Sequence, residues 1–113
     1  MFKKVENENL EVLINEFGAE IFSIKSKKTG VEYLWQGDKK YWEDRSPILF
    51  PICGRLFGGK YTYNDIEYEM PIHGIAKLNE FTTVLEQVDK LSLMLKSSEE
   101  TKKHYVLQKI GIP

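Results

Sequence analysis

The 113-residue chain has one cysteine, Cys53, which excludes an internal disulfide and fits a reducing compartment. No apolar run approaches the ~20 residues that span a bilayer. No apolar stretch of the kind a secretory leader carries follows MFKKVENENLEV. Charge of one sign is also lacking. Sixteen Lys and Arg against 17 Asp and Glu leave a formal net charge of −1. That balance gives no electrostatic case for nucleic acid or an anionic membrane as partner. The absences together point to the cytoplasm. With one thiol and two histidines, no metal-ligand spacing is visible, and no metal or cofactor is expected.

What is present is ordinary globular material. Hydrophobic residues make up 42% and charged residues 29%, a balance that argues against disorder. The length suits one domain rather than two.

The dominant period is two. NLEVLINEF alternates imperfectly, and AEIFSIKSK sets Ile21 against Phe22 or Ser23 before Ile24 and Lys25. SKKTG supplies a turn. VEYLW then reads as a further strand, with Val31, Tyr33 and Trp35 on one side and Glu32 and Leu34 on the other. QGDKKYWEDRSP reads as a loop carrying exposed aromatics. ILFPICGRLFGG is apolar but broken by Pro51, Gly54 and Gly58-Gly59, which argues against a central strand, while Pro47 holds Ser46 extended. KYTYNDIEYEM is the clearest hairpin, with Asn64-Asp65 at its turn. EFTTVLEQ and KLSLMLKS follow as two strands joined at Val-Asp-Lys. A helical stripe of Val84, Val88, Leu91 and Leu95 competes, but Thr82-Thr83 and the alternation of Leu91, Leu93 and Leu95 favour strands. The expectation is an all-β fold of antiparallel sheets.

The chemistry-bearing residues gather in FPICGRLFGGKYTYNDIEYEMPIHG. Arg55 offers a rigid fork of donors, and His73 can donate or accept near neutral pH. Each has a plain alternative. Arg55 could clamp a turn or pair with a surface carboxylate, and His73 could be a strand-end histidine bonded to backbone. Cys53, between Ile52 and Gly54, reads as a small buried hydrophobe. Trp35, Tyr41 and Trp42 suit either stacking on the flat face of a ligand or packing in the core or loop. No helix follows GRLFGG, so a phosphate-cradling loop is not expected. EDR and SSEETKK read as solvated surface.

The stretches FGAEIFSIKSKKTGVEYLWQGD, YWEDRSPILFPICGRLFGGKYTYNDIEYEMPIHGIAK and NEFTTVLEQ resemble the N-terminal part of the galactose mutarotase-like proteins. That is the aldose 1-epimerase superfamily, and the likeness is strongest to its LacX-type branch. It covers roughly residues 5 to 105 and rests on an ordered set: RLFGG, then YTYNDIEY, then HG. The resemblance implies a β-supersandwich with a sugar cleft, interconverting the α and β anomers of an aldose. It implies a glutamate base and a histidine acid, with an arginine and an earlier histidine holding the sugar. Matched by motif, Arg55 is the binding arginine, and His73 is the earlier histidine of the catalytic and binding set. Lys77 stands where some relatives, written His-Gly-Phe-Ala-Arg, carry an arginine, although a solvated lysine is the preferred reading there.

The departures carry expectations of their own. Relatives are longer, and nothing here matches the base glutamate or the second histidine; His104 fits neither motif. Where relatives run on with a Tyr-Pro-Phe-like stretch, this chain reads HYVLQKIGIP. Residues 106–113 thus form an atypical tail, as truncation or a shifted reading frame would produce. The expectation is a single domain over 1–113, the N-terminal part of a supersandwich. It would bind a small-molecule sugar, an aldose or a sugar phosphate, with little or no catalysis. Rival readings are a non-catalytic carbohydrate-binding module and a structural or assembly piece. A β-sandwich cut part-way leaves open edges and an uncovered face, so a homodimer is expected.

Overall fold

Alternating apolar residues near the N-terminus fold into a three-stranded antiparallel sheet. Its strands are β1 (Phe2–Glu6), β2 (Leu10–Asn15) and β3 (Glu20–Ser26). The structure is a computed structural model and describes residues 1–105; the atypical tail at 106–113 lies outside the described residues. At the first turn, the Asn7 side-chain oxygen accepts the N–H groups of Asn9 and Leu10 at 2.8 and 2.9 Å, the local bond that makes asparagine a turn former. β1 was not anticipated, because FKKVE mixes charge into both of its faces.

Register explains the imperfect alternation. Val5 pairs with Val12, Val12 with Ile24 and Ile14 with Ile21, with an irregularity between Leu13 and Ile14. A bulge there puts Ile21 and Ile24 on one face although they are three apart in sequence. That face is apolar. Together with Leu91 and Leu93 it lines a cavity of about 320 Å³ bounded by Val5, Val12, Ile14, Ala19 and Ile21.

The two later hairpins form where the sequence places them. They are β4 (Lys60–Tyr63) with β5 (Ile66–Glu69), and β6 (Thr82–Glu86) with β7 (Leu91–Met94). Asn64 and Asp65 both take positive φ, 52° and 62°, the backbone that a tight two-residue hairpin turn requires. On β4 and β5 the rings of Tyr61 and Tyr68 stack across the strands at 5.4 Å. The strand reading of VLEQVDKLSLML holds over the helical one.

Three local readings are corrected. VEYLW forms only an isolated bridge, Lys25 to Glu32. The Glu32 carboxylate itself accepts the backbone N–H groups of Ile24 at 2.8 Å and Leu34 at 3.1 Å and the Ser23 hydroxyl, so a side chain takes the place of part of the ladder. EDR is not merely solvated. The Arg45 guanidinium lies 4.4 Å over the Phe22 ring and donates to the Phe22 carbonyl at 2.8 Å and to Gln36 at 3.0 Å. The N–H groups of Arg45 and Ser46 donate to the Glu20 carboxylate, pinning the 36–47 loop to β3. SSEETKK forms a helical turn, α1 (Glu99–Lys102). A reciprocal Ser98–Thr101 capping box closes it, and Thr101 is buried.

The rest of the packing is thin. Only Ile14, Met70, Ile75 and Ala76 are buried apolar residues among those described. The radius of gyration is 16.7 Å with extents of 56 × 35 × 17 Å, whereas a compact chain of this length has about 13 Å. The outline is a slab. Among the described residues, no helix is long and apolar enough to cross a membrane.

One contact ties the slab's middle together. Phe50 and Gly74 form a parallel bridge, and the Phe50 carbonyl accepts the N–H groups of Ile75 at 2.8 Å and Ala76 at 3.1 Å. Gly74 has φ of 82°, and a Cβ there would sit 2.1 Å from the Phe50 carbonyl oxygen. No side chain fits that approach.

Two outcomes follow. Gly74→Ala should destabilise the chain by at least about 2 kcal/mol, combining positive-φ strain with a backbone clash; urea unfolding checks it. At Glu32, burial pushes the carboxyl up, but hydrogen bonds from Ser23, Ile24 and Leu34 outweigh it and hold the group below the ordinary 4.5. Its stabilisation is therefore fully present above that value and is lost as pH falls through the depressed folded value. Glu32→Gln should cost about 1 kcal/mol at neutral pH. The gap to the parent chain should close in acid, read from paired urea curves at several pH values.

Candidate functional site

The segment after Phe50 and the segment after Met70 meet through a reciprocal pair of hydrogen bonds. The His73 N–H donates to the Gly54 carbonyl at 2.7 Å, and the Gly54 N–H donates to His73 Nδ1 at 2.8 Å. Residues 54 and 73 thereby close a loop around the β4–β5 hairpin. His73 takes φ of 63°, an uncommon conformation for a residue with a side chain, which histidine tolerates better than most.

The second bond settles the ring's chemistry. Because Nδ1 accepts a backbone N–H, its lone pair is occupied and the neutral ring carries its proton on Nε2. The plain alternative of a backbone-bonded histidine is therefore true of one ring nitrogen only. Nε2–H makes no hydrogen bond among the described residues and remains a donor on a half-buried ring.

Arg55 follows Gly54 directly, so the same bonds fix its backbone beside His73. Its side chain is exposed, and no carboxylate or carbonyl takes the guanidinium among the described residues. The clamp considered for Arg55 is instead performed by Arg45. Lys77 lies in the single turn Ala76–Leu78 and is half-buried. The Lys77 carbonyl oxygen lies 3.0 Å from where a Cβ on Gly18 would be. Among the described residues, no hydrogen bond or ion pair joins Lys77 to Arg55 or His73. The Gly54–His73 bonds thus link His73 to the backbone next to Arg55, and no bond among the described residues adds Lys77 to them.

Beneath this corner is an apolar groove of about 380 Å³ lined by Pro51, Ile52, Leu56, Tyr61, Met70 and Tyr105. Tyr105 packs edge-on to Phe50 at 5.6 Å, and the Tyr61 hydroxyl donates to the His104 carbonyl at 2.5 Å. His104 Nδ1 is 2.8 Å from the Glu69 carbonyl. A carbonyl only accepts, so His104 must carry its proton on Nδ1, the opposite tautomer to His73. Its ring is committed to holding the 98–105 segment against the hairpin.

Two further expectations meet the structure here. Cys53 is exposed rather than buried, since its position between two turn-forming segments leaves no element packed over it among the described residues. In the aromatic trio, the Trp35 indole N–H donates to the Trp42 carbonyl at 2.7 Å and Tyr41 meets Trp35 edge-on at 6.3 Å, while all three residues stay exposed. Arg45, Glu20 and Glu32 were missed as organising residues. No periodicity marks them, since each acts on backbone groups distant in sequence.

The geometry can be set beside known proteins. An aldose 1-epimerase family model matches residues 3–108. Two proteins of Lactococcus lactis subsp. lactis, the plasmid and chromosomal forms of protein LacX, are 38% and 37% identical. Each match covers 93% of this chain and 36% of the relative. Among solved structures, a galactose mutarotase related enzyme from Lactobacillus acidophilus superimposes with a TM-score of 0.91 at 38% identity, covering 94% of this chain and 35% of that one. A galactose mutarotase-like protein from Lactobacillus casei ATCC 334 gives 0.90 at 30% identity, covering 94% and 36%. The chain spans about a third of the length of the relatives it matches. The antiparallel sheets and the matched span agree: the chain belongs to the aldose 1-epimerase family, as the N-terminal portion of a galactose mutarotase-like fold.

Proposed function

We propose that Arg55 and His73 form the sugar-holding half of an aldose 1-epimerase-type site. The observation that carries this is the Gly54–His73 bond to Nδ1. It leaves Nε2–H as a donor on a ring bonded to Gly54, the residue before an arginine with no partner among the described residues. Sugar hydroxyls and a ring oxygen are acceptors that such a pair can bind.

The reaction such a site serves is anomer exchange. A base removes the C1 hydroxyl proton, an acid protonates the ring oxygen, and the ring opens to the aldehyde. After rotation about the C1–C2 bond, the ring oxygen attacks the other face of the carbonyl, and the two protons return in reverse. Arg55 and His73 would orient the sugar and stabilise negative charge developing on oxygen. His73 Nε2–H could also lend a proton, since its tautomer is already that of a donor. No residue of this chain matches the base glutamate or second histidine of the family, so the 113-residue chain by itself is proposed to bind sugar with little or no turnover. That is the behaviour of a carbohydrate-binding module.

Titration with an aldohexose and an aldohexose 6-phosphate, followed by amide NMR, should shift Gly54, Arg55, His73 and Gly74. Arg55→Ala should weaken that binding roughly ten- to hundredfold, the loss of hydrogen bonds from a charged donor. His73→Asn removes the ring while retaining a residue that accepts positive φ, and it should weaken binding without unfolding the corner. Unchanged affinity in both variants would refute the site.

Polarimetry on a freshly dissolved α-aldose should follow the buffer-catalysed rate, because each missing proton-transfer group costs about 10²–10⁴-fold. A faster curve that His73→Asn abolishes would show that this chain catalyses the reaction itself.

A further inference from the structure

The chain's two histidines hold opposite tautomers, and they answer a second proton differently. His104 donates through Nδ1 to the Glu69 carbonyl at 2.8 Å, so a further proton arrives on Nε2 and leaves that bond in place. His73 accepts the Gly54 N–H on Nδ1 at 2.8 Å, and Nδ1 is the one nitrogen of its neutral ring that can take a proton. Protonation sets two N–H groups against each other across that distance. The ring must then turn away. Its backbone stays in place, because the His73 N–H still donates to the Gly54 carbonyl at 2.7 Å.

The bond depends on the residue that supplies it. Gly54 takes φ of 90°, in the region that favours glycine, yet a Cβ there would meet nothing within 4 Å. Glycine is needed for its backbone angle rather than for space, and that angle aims the N–H at the ring. Titratable and charged groups around the imidazole are few. Cys53 and Arg55 flank Gly54, and Lys77 lies in the turn beyond Gly74. On the hairpin, Lys60 and Glu67 pair with each other at 3.3 Å, Asp65 and Glu69 bracket β5, and the Tyr61 hydroxyl donates to the His104 carbonyl. Among the described residues, no ion pair reaches the His73 ring.

We propose that Gly54 is a positioning residue of the sugar site: its N–H holds His73 as the Nε2–H donor and restricts sugar binding to the neutral ring. This rests on the sugar-holding role of Arg55 and His73. The sign of the pH dependence separates positioning from plain charge. A charged ring left in place is the stronger donor and tightens binding in acid, whereas a ring released from Gly54 loses the sugar.

The full 113-residue chain, isotope-labelled, would be titrated from about pH 8 to about pH 5, with and without an aldohexose. At the upper end, long-range proton–nitrogen spectra should show His73 protonated on Nε2 and His104 on Nδ1. As the His73 ring takes up its second proton, exchange of the Gly54 amide should quicken after correction for the intrinsic rate. Sugar affinity should fall about tenfold over the same interval, as the loss of one hydrogen bond implies. Gly54→Ala should mix the His73 tautomers and weaken binding at the upper end, and Gly54→Asn, which accepts positive φ more readily, should lose less. If either variant loses its dispersed amide spectrum, the titration of the unaltered chain decides. Affinity that stays level or rises as the ring charges overturns the proposal while leaving the sugar site standing, and so does a neutral His73 protonated on Nδ1. Absence of any sugar binding refutes the site itself, and the positioning role with it.

Discussion

The structure depends on two short segments held together by backbone hydrogen bonds: residues 50–55 and residues 73–76. Phe50 gives its carbonyl to Ile75 and Ala76, and Gly54 and His73 exchange a pair of bonds, one of them through the imidazole. Gly74 permits the approach because it has no Cβ. This seam brings Ile75 and Ala76 into the small core and sets Arg55 beside His73. It also closes the loop that carries the Tyr61–Tyr68 hairpin. A single constraint therefore serves both fold and site, so packing and chemistry share the same few residues.

The hairpins were legible because their cause is local. Asn64-Asp65 dictates a turn, and the flanking tyrosines dictate a face. The 91–95 alternation needs nothing beyond its own period. Elements were misread where a side chain from elsewhere competes for backbone groups. VEYLW has a strand's pattern, yet Glu32 uses its carboxylate to take N–H groups on either side of the bridge. Arg45 sits in a charge run that reads as surface until Phe22, which its guanidinium covers, is brought near by β3. Long-range hydrogen bonds leave no periodic trace in a sequence.

The candidate residues were legible and their state was not. The ordered motif names Arg55 and His73, and the bonds between Gly54 and His73 join the backbone next to the first to the second. Which ring nitrogen of His73 is free could not be read from the residues, because the bond that decides it comes from Gly54, nineteen positions earlier. The same holds for His104, whose ring makes the opposite choice because a carbonyl faces it. The two histidines differ in tautomer because each ring meets one backbone partner of the opposite kind.

The thin core can be reconciled with a backbone so close to its relatives. The four buried apolar residues among those described cannot supply the burial that normally offsets chain entropy. What holds the local geometry is short-range: the Asn7 turn, the Asn64-Asp65 turn, the Ser98–Thr101 capping box and the Gly54–His73 seam. Such features specify conformation residue by residue and add little stability each. The chain is therefore specified more firmly than it is stabilised.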